Sequence, residues 1–244
     1  MRINCIYIEI FILLLLSSVL VNLINRFNFK NPFIKKSYLY INRIINLEKR
    51  KYIFIIRFIV YLLVFSMIFF ISFKVYKLDS SIFRLYKSNE ALKSIIALIT
   101  SLIITVQMFF MSIMIFLSLI LKKNVVQAIS EISWIEINKE YLIYSRFIRP
   151  LLVSIIESIL YCLIFNFIII YIFKFNFIEG ILILSIIYGL GKSLLMNKRE
   201  TKIIMFFYGF WCVFIGNILY GFTGNIIYTI LLFMIIINFW VFKK

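Results

Sequence analysis

The sequence predicts an all-α integral membrane protein with about seven transmembrane helices, and three observations lead to this fold class. Of the 244 residues, 64% are hydrophobic, whereas an average soluble domain is about half apolar. The mean hydropathy is +1.06. The apolar residues form continuous runs close to the roughly 20 residues that one bilayer crossing needs, and not the alternating ten-residue strands of a membrane barrel. We therefore expect a multi-pass helical protein without a separate soluble domain.

Seven apolar runs are candidates for the transmembrane helices. The first run has no small-residue cleavage site and continues into a basic segment, which favours a retained helix over a secretion signal. We divide the chain into N-terminal helices with basic loops (1–147) and a core of the last four helices (148–244). The seven runs cover residues 5–25, 52–73, 94–121, 150–173, 180–196, 203–220 and 225–242.

The basic residues predict the orientation of these helices. The net charge is +17, which in a soluble protein would suggest a nucleic-acid partner. In a membrane protein, basic loops beside anionic lipid explain the charge, so we expect membrane lipid and no nucleic acid as the partner. With the N-terminus outside, the inner segments hold 18 Lys and Arg and the outer segments hold 7. This asymmetry favours an N-out, C-in topology.

Two loops carry amphipathic patterns that predict basic helices on the inner leaflet. In 33–47, apolar residues recur at helical spacing and basic or polar residues take the other side. The segment 125–144 shows a similar pattern with aromatic anchors. Simple membrane anchoring is the favoured interpretation, and a partner-docking surface is the alternative. The residues concerned are Ile34, Tyr38, Ile41 and Ile45 against Lys35, Lys36, Asn42 and Arg43, and then Val125, Ile129, Ile132, Ile135, Trp134 and Tyr144.

Two charges inside the apolar runs predict an ion pair. Glu157 lies roughly 10 Å deep and Lys192 roughly 7 Å deep from the predicted inner boundary, at about 1.5 Å per residue. Asn238 falls at a similar level on the last helix. Ionisable residues inside a bilayer are costly and are usually paired, so we expect Glu157 and Lys192 to neutralise each other. The alternatives are that Lys192 extends to the interface by itself, as we expect of Arg57, or that the pair is catalytic.

Polar and small residues follow the same helix faces, which predicts that the last four helices pack around a partly polar centre. On the fifth and sixth apolar runs, small residues would allow close packing. The stripes are Ser154, Glu157, Ser158 and Tyr161; Ser185, Tyr188 and Lys192, with Gly189 and Gly191; and Gly209, Cys212, Gly216 and Tyr220.

The sequence offers no metal or cofactor motif. It has no histidine, and its cysteines (Cys5, Cys162 and Cys212) are isolated, without metal-ligand spacing. We therefore expect neither a metal nor a cofactor.

Residues 148–242 resemble the CAAX-protease and bacteriocin-processing (CPBP) family of intramembrane proteins. That family's motifs are E-E-x-x-x-R, F-x-x-x-H and H-x-x-x-N on successive helices, with T-G-(S/N)-I-(W/Y) before the last. Here Glu157 keeps the first acid. Five motif positions are replaced: Ser158 stands for the second acid, Cys162 for the arginine, Tyr188 for the phenylalanine, Lys192 for the first histidine and Phe233 for the second. Asn238 lies one residue after the position of the family's asparagine. The segment Thr223–Tyr228 matches the family's segment before the last helix.

The resemblance implies a CPBP-like bundle in the bacterial cytoplasmic membrane from which the catalytic groups have been lost. Such a pseudoprotease would bind a peptide or a membrane partner, as in bacteriocin self-immunity or as a scaffold subunit of a peptide maturation or export complex. An active intramembrane peptidase with Glu157 as general base is one alternative, and the permease subunit of an export ATPase is another.

Overall fold

The computed structural model describes residues 32–76, 91–130, 147–194, 196 and 198–239, and this part of the chain is helical and contains no strand. The chain separates into two compact units at residues 77 and 78, which we call the N-terminal unit and the C-terminal unit. The predicted helix at 5–25 and most of the predicted amphipathic segment 125–144, including Ile132, Trp134, Ile135 and Tyr144, lie outside the described residues.

The N-terminal unit contains α1 (Pro32–Ile44) and α2 (Lys49–Tyr76). The sequence predicted both helices, α1 from its amphipathic pattern and α2 from the apolar run. Within the predicted apolar face of α1, Ile34 and Tyr38 are buried, whereas Ile41 and Ile45 are exposed. Only half of that face is therefore covered by protein.

Six helices make up the described part of the C-terminal unit. Two of them contain π-helical turns, in which the hydrogen bonds span five residues in place of four. They are α3 (Ala91–Ile113, continued by the π-helical Met114–Ile120), α4 (Val125–Ser130), α5 (Arg149–Ser158, then π-helical Ile159–Ile164, α-helical Phe165–Phe167 and π-helical Ile168–Ile172), α6 (Phe177–Ser193), α7 (Arg199–Thr223) and α8 (Ile226–Phe239).

Four of the described helices are long and apolar enough to cross a membrane, which confirms that the chain has the character of a helical membrane protein. They are Lys51–Lys74, Ala91–Ile120, Pro150–Ile172 and Arg199–Thr223. The 17-residue α6 would extend about 25 Å at 1.5 Å per residue, which is less than the roughly 30 Å of a hydrocarbon core. The apolar part of α8, Ile226–Asn238, is also short.

The helix α7 packs against each of the other described helices in the C-terminal unit. The Trp211 indole N–H donates to Ser112 Oγ of α3 at 2.9 Å, and the rings of Phe116 and Phe207 lie 4.8 Å apart. Small residues on α7 face α6 and α8, which lets the backbones approach closely. The contacts pair the end of α3 with the start of α7, so these two helices are antiparallel.

Two helices end in the same way although the sequence contains no glycine at either end. Lys122 after α3 and Lys174 after α5 adopt left-handed conformations, with φ of 50° and 57°. The amide of Lys123 then donates to Leu117 O at 2.8 Å, and that of Phe175 to Ile169 O at 3.2 Å. These bonds reach back six positions, one more than the corresponding bond of a Schellman motif, because each follows a π-helical turn, and they satisfy carbonyls that the helix end leaves open.

The segment Thr223–Tyr228 forms the tight turn between α7 and α8. Gly224 has a φ of 62° and its amide donates to Tyr220 O at 2.8 Å. A left-handed conformation of this kind is the usual role of a glycine after a helix. The Asn225 Oδ1 accepts a hydrogen bond from the amide of Ile227 at 2.9 Å, which begins α8. The local sequence therefore explains why α7 ends and α8 begins at this turn.

Candidate functional site

The structure brings the two predicted intramembrane charges together. Glu157 on α5 is buried, with 2% of its surface exposed. The Lys192 ammonium of α6 lies 2.5 Å from Glu157 Oε1 and donates a hydrogen bond to it. The lysine side chain keeps 13% exposure, so Lys192 is the more exposed partner of the pair.

The second carboxylate oxygen is also engaged. The Tyr188 hydroxyl, one helical turn before Lys192, donates a hydrogen bond to Glu157 Oε2. The Lys192 Nζ lies 4.9 Å from the centroid of the Tyr188 ring, within the range of a cation–π contact. Tyr188 therefore touches both charged groups, and the three side chains form one unit that we call the charge triad (Glu157, Tyr188 and Lys192).

Aromatic rings enclose the triad inside the bundle. The Tyr161 ring lies edge-on to Tyr188 at 4.6 Å, and the Phe233 ring of α8 lies 6.4 Å from it. Both enclosing residues are buried. The carboxylate therefore lies in an apolar surrounding, where a charge without partners would be costly.

Glycines allow α7 to press on the helix that carries Tyr188 and Lys192. A Cβ at Gly209 would lie 3.0 Å from Tyr188 Cδ1 and 3.1 Å from Lys192 Cγ, and a Cβ at Gly189 would lie 2.8 Å from Phe206 O. These distances are shorter than ordinary van der Waals contact. The small residues that the sequence analysis identified on α6 and α7 therefore allow these two helices to pack closely beside the triad.

A π-helical turn begins two residues after Glu157. In it the amide of Phe165 donates to Leu160 O, five residues earlier. The wider turn changes the direction of the side chains that follow it. Such turns are often found at functional sites, and this one lies beside the single acid of the triad.

The other residues of the predicted polar face have other roles. Ser154 and Ser185 donate to carbonyls of their own helices, Leu151 O at 2.9 Å and Ile181 O at 2.7 Å. The Ser158 hydroxyl is fully buried, and within the described residues no group hydrogen-bonds to it. Hence none of these three hydroxyls joins the triad by a hydrogen bond.

Two of the three remaining motif positions, Cys162 and Phe233, line the packing between α5, α7 and α8. The thiol of Cys162 and the ring of Phe233 are buried and lie 3.3 Å and 2.7 Å from the point that a Cβ on Gly216 would occupy. Asn238 has a buried Oδ1 that accepts no hydrogen bond from the described part of the chain. The structure gives no hydrogen bond between Asn238 and Glu157 among these residues.

Two buried asparagines were absent from the polar stripes that the sequence suggested. Asn166 on α5 and Asn217 on α7 each donate an amide hydrogen to a carbonyl four residues earlier, Cys162 O at 3.4 Å and Val213 O at 2.9 Å. Their Oδ1 atoms have no hydrogen-bond donor among the described residues. The sequence could have indicated these two residues, because an asparagine inside an apolar run is itself unusual.

The chemistry of the triad is that of a neutralised pair. Both oxygens of Glu157 accept hydrogen bonds within the protein, one of them from an ammonium ion that neutralises the carboxylate. Within the described residues no three His, Cys, Asp or Glu side chains cluster closely enough to hold a metal ion. Burial of such a pair costs desolvation that the Coulomb attraction offsets only when the geometry is good.

A family model described as a family of unknown function (DUF5968) matches residues 94–244. Because this match covers more than half of the chain, the protein belongs to that family. Neither the comparison with curated proteins nor the comparison with solved structures gave a match.

Proposed function

We propose that this member of the DUF5968 family is a non-catalytic, multi-pass membrane protein that binds a peptide or a membrane partner. In this proposal it has seven spans, N-out and C-in, in the bacterial cytoplasmic membrane. Its charge triad holds α5 and α6 in register and does no chemistry.

One observation carries the proposal: both oxygens of Glu157 are engaged inside the protein. A general base must reach the proton that it removes. Here the Lys192 ammonium lies 2.5 Å from one oxygen and the Tyr188 hydroxyl donates to the other. Lysine at this position is a strong structural partner, because its ammonium group donates hydrogen bonds and accepts none.

The resemblance to the CPBP family supports the peptide-binding part of the proposal. If the resemblance reflects descent, the replaced motif positions Ser158, Cys162, Lys192 and Phe233 describe a fold that was kept without its catalytic groups. Binding or shielding of a peptide needs no hydrolysis. Self-immunity to a peptide bacteriocin, or a scaffold role in a peptide maturation or export complex, would both fit.

An intramembrane peptidase is the second candidate, and the π-helical turn that follows Glu157 favours it. In that case the triad would be a resting arrangement that opens to free the carboxylate. The two candidates differ in what Glu157→Gln does, since the amide keeps the shape of the side chain but cannot act as a base.

The first test is proteolysis by the full chain reconstituted in liposomes. Quenched fluorogenic peptides that span the membrane once, and prenylated peptides with a C-terminal Cys-a-a-X sequence, serve as substrates. We expect wild type and Glu157→Gln to give the same background signal. Cleavage by wild type that Glu157→Gln abolishes would overturn the non-catalytic proposal in favour of the peptidase.

The second test is protection of a sensitive indicator strain that expresses the chain. We expect a higher minimum inhibitory concentration for at least one membrane-active peptide of a bacteriocin panel. The double variant Glu157→Gln/Lys192→Met should protect equally well, because it removes both charges together. If no peptide of the panel is tolerated better, and none is retained by the purified chain, the binding proposal fails.

A further inference from the structure

The helix α1 carries a second apolar face whose side chains are largely exposed. Phe33, Tyr40 and Ile44 are 77%, 69% and 72% exposed. Their spacings of seven and four residues place them on one side of the helix. The sequence pattern had emphasised the other side, which contains Ile34 and Tyr38.

That other side is fixed to the beginning of α2. Ile34 and Tyr38 form a small buried cluster with Tyr52. The Tyr38 hydroxyl donates to Leu47 O at 3.1 Å, and the Tyr52 hydroxyl donates to Ser37 Oγ at 2.7 Å. These contacts prevent α1 from turning about its axis, so the Phe33, Tyr40 and Ile44 face stays exposed.

Basic side chains border the exposed apolar face. Lys36 lies three residues after Phe33 and four before Tyr40, and Arg43 lies three after Tyr40, which places both beside this face on the helix. Both are exposed. Over residues 32–51 the sequence has six Lys and Arg and one acid, Glu48, and this acid forms an ion pair with Lys51 at 3.3 Å. The surface therefore has a strong positive charge.

The connection to α2 keeps this surface near a bilayer. Four residues (45–48) separate α1 from α2, and the membrane-crossing stretch of α2 begins at Lys51. The five Cα–Cα steps from Ile44 to Lys49 reach at most about 18 Å. Exposed aromatic and aliphatic side chains lie beside cations on a helix that a short linker joins to a candidate span. This combination matches the requirements of an interfacial helix.

We propose that Phe33, Tyr40 and Ile44, with Lys36 and Arg43, form a binding surface for anionic phospholipid. The apolar side chains enter the boundary between headgroups and acyl chains, and the two cations contact the phosphates. Anionic lipid explains both halves of the surface, because a soluble phosphate would use only the cations. This inference does not depend on the proposed peptide or partner.

The test is lipid retention by the full chain in mild detergent, followed by native mass spectrometry during titration with phosphatidylglycerol or phosphatidylcholine. Wild type should retain phosphatidylglycerol preferentially. Lys36→Gln/Arg43→Gln should weaken this binding by on the order of tenfold or more at low salt, given the usual contribution of a basic residue near an anionic surface. Lys36→Arg/Arg43→Lys, which keeps the charges, should bind as wild type does.

Two controls separate this surface from general basicity and from free phosphate. Lys122→Gln/Lys123→Gln removes two exposed charges from the C-terminal unit and should leave the binding unchanged. Glycerol phosphate at the same concentration should not displace the lipid. Equal retention of the two lipids by wild type, equal loss in both charge variants, or displacement by glycerol phosphate would each overturn the proposal.

Discussion

Glu157 illustrates how a single carboxylate can be kept inside an apolar bundle. Its two oxygens have different partners: an ammonium that neutralises the charge and a phenol that satisfies the second oxygen. The cation–π contact between Lys192 and Tyr188 links these two partners. Removal of one member therefore affects the other two, so the effects of single substitutions should not add.

This coupling gives a prediction for a double-mutant cycle. Glu157→Gln and Lys192→Met should each lower the free energy of unfolding by about 3 to 5 kcal/mol, because each leaves the other charge buried without its partner. The double variant should lose much less than the sum. Titration of the detergent-solubilised protein with SDS, followed by far-ultraviolet circular dichroism, measures all four stabilities. Additive losses would show that the two side chains are not energetically paired.

The sequence predicted part of the triad. Glu157 and Lys192 could be paired because each is an isolated charge in an apolar run. The role of the Tyr188 hydroxyl was not predictable, since it depends on the rotation of α6 about its axis when it packs on α5. Asn166 and Asn217, whose Oδ1 atoms accept no hydrogen bond from the described residues, were not predicted because each stands alone and belongs to no stripe of polar residues.

At the scale of helices, the α6–α7 contact depends on glycines that leave no room for a methyl group. Gly189 faces a backbone oxygen of α7, which cannot move without moving the helix. Gly221, near the other end of α7, faces the outer edge of the Phe177 ring at 2.8 Å. A ring at the end of a side chain can rotate away. The two glycines are therefore a matched pair with different surroundings.

We expect Gly189→Ala to destabilise the protein by about 1 to 3 kcal/mol, the usual cost of overpacking a tight contact. Gly221→Ala should cost less, or stabilise by up to about 1 kcal/mol, because alanine favours helix. The same SDS titration compares the two variants. Equal effects would mean that the interface between α6 and α7 tolerates a small separation of the helices.

The π-helical turns, and the helix ends at Lys122 and Lys174, are features that could not be predicted from the sequence. The run Ile159–Ile164 contains no glycine or proline that marks a change of helix type. Lys122 and Lys174 adopt a conformation that most residues avoid, and glycine would have been the expected signal. These features follow from packing and from hydrogen bonding at the helix ends, which hydrophobic periodicity does not report.

For the whole molecule, composition and run length were sufficient to predict the all-helical membrane class. They were less informative about the number of spans, because the runs predicted at 180–196 and 225–242 correspond to α6 and α8, which are shorter than the four helices long enough to cross a membrane. The contacts in the C-terminal unit add one constraint. Phe116 lies against Phe207, and Gly221 lies against Phe177, so Lys123 and Lys198 lie near one end of the α3, α6 and α7 bundle and Lys174 near the other.

The proposed N-out, C-in topology predicts which of these exposed lysines faces the cytoplasm. In a background without cysteine, a single cysteine at Lys174 should react with a membrane-impermeant maleimide in intact cells. Cysteines at Lys123 or Lys198 should react only after the cells are permeabilised. The reverse pattern would invert the topology. Labelling of the cysteines at positions 123 and 198 from opposite sides of the membrane would contradict the fold of the C-terminal unit.

The pairing of Glu157 with Lys192 also constrains how the protein is made. A nascent chain that ended after α5 would offer the translocon a helix with an unneutralised acid, which partitions poorly into lipid. The next helix follows after a short turn and supplies the opposite charge within 35 residues. We therefore expect α5 and α6 to pass from the translocon into the lipid as one helical hairpin.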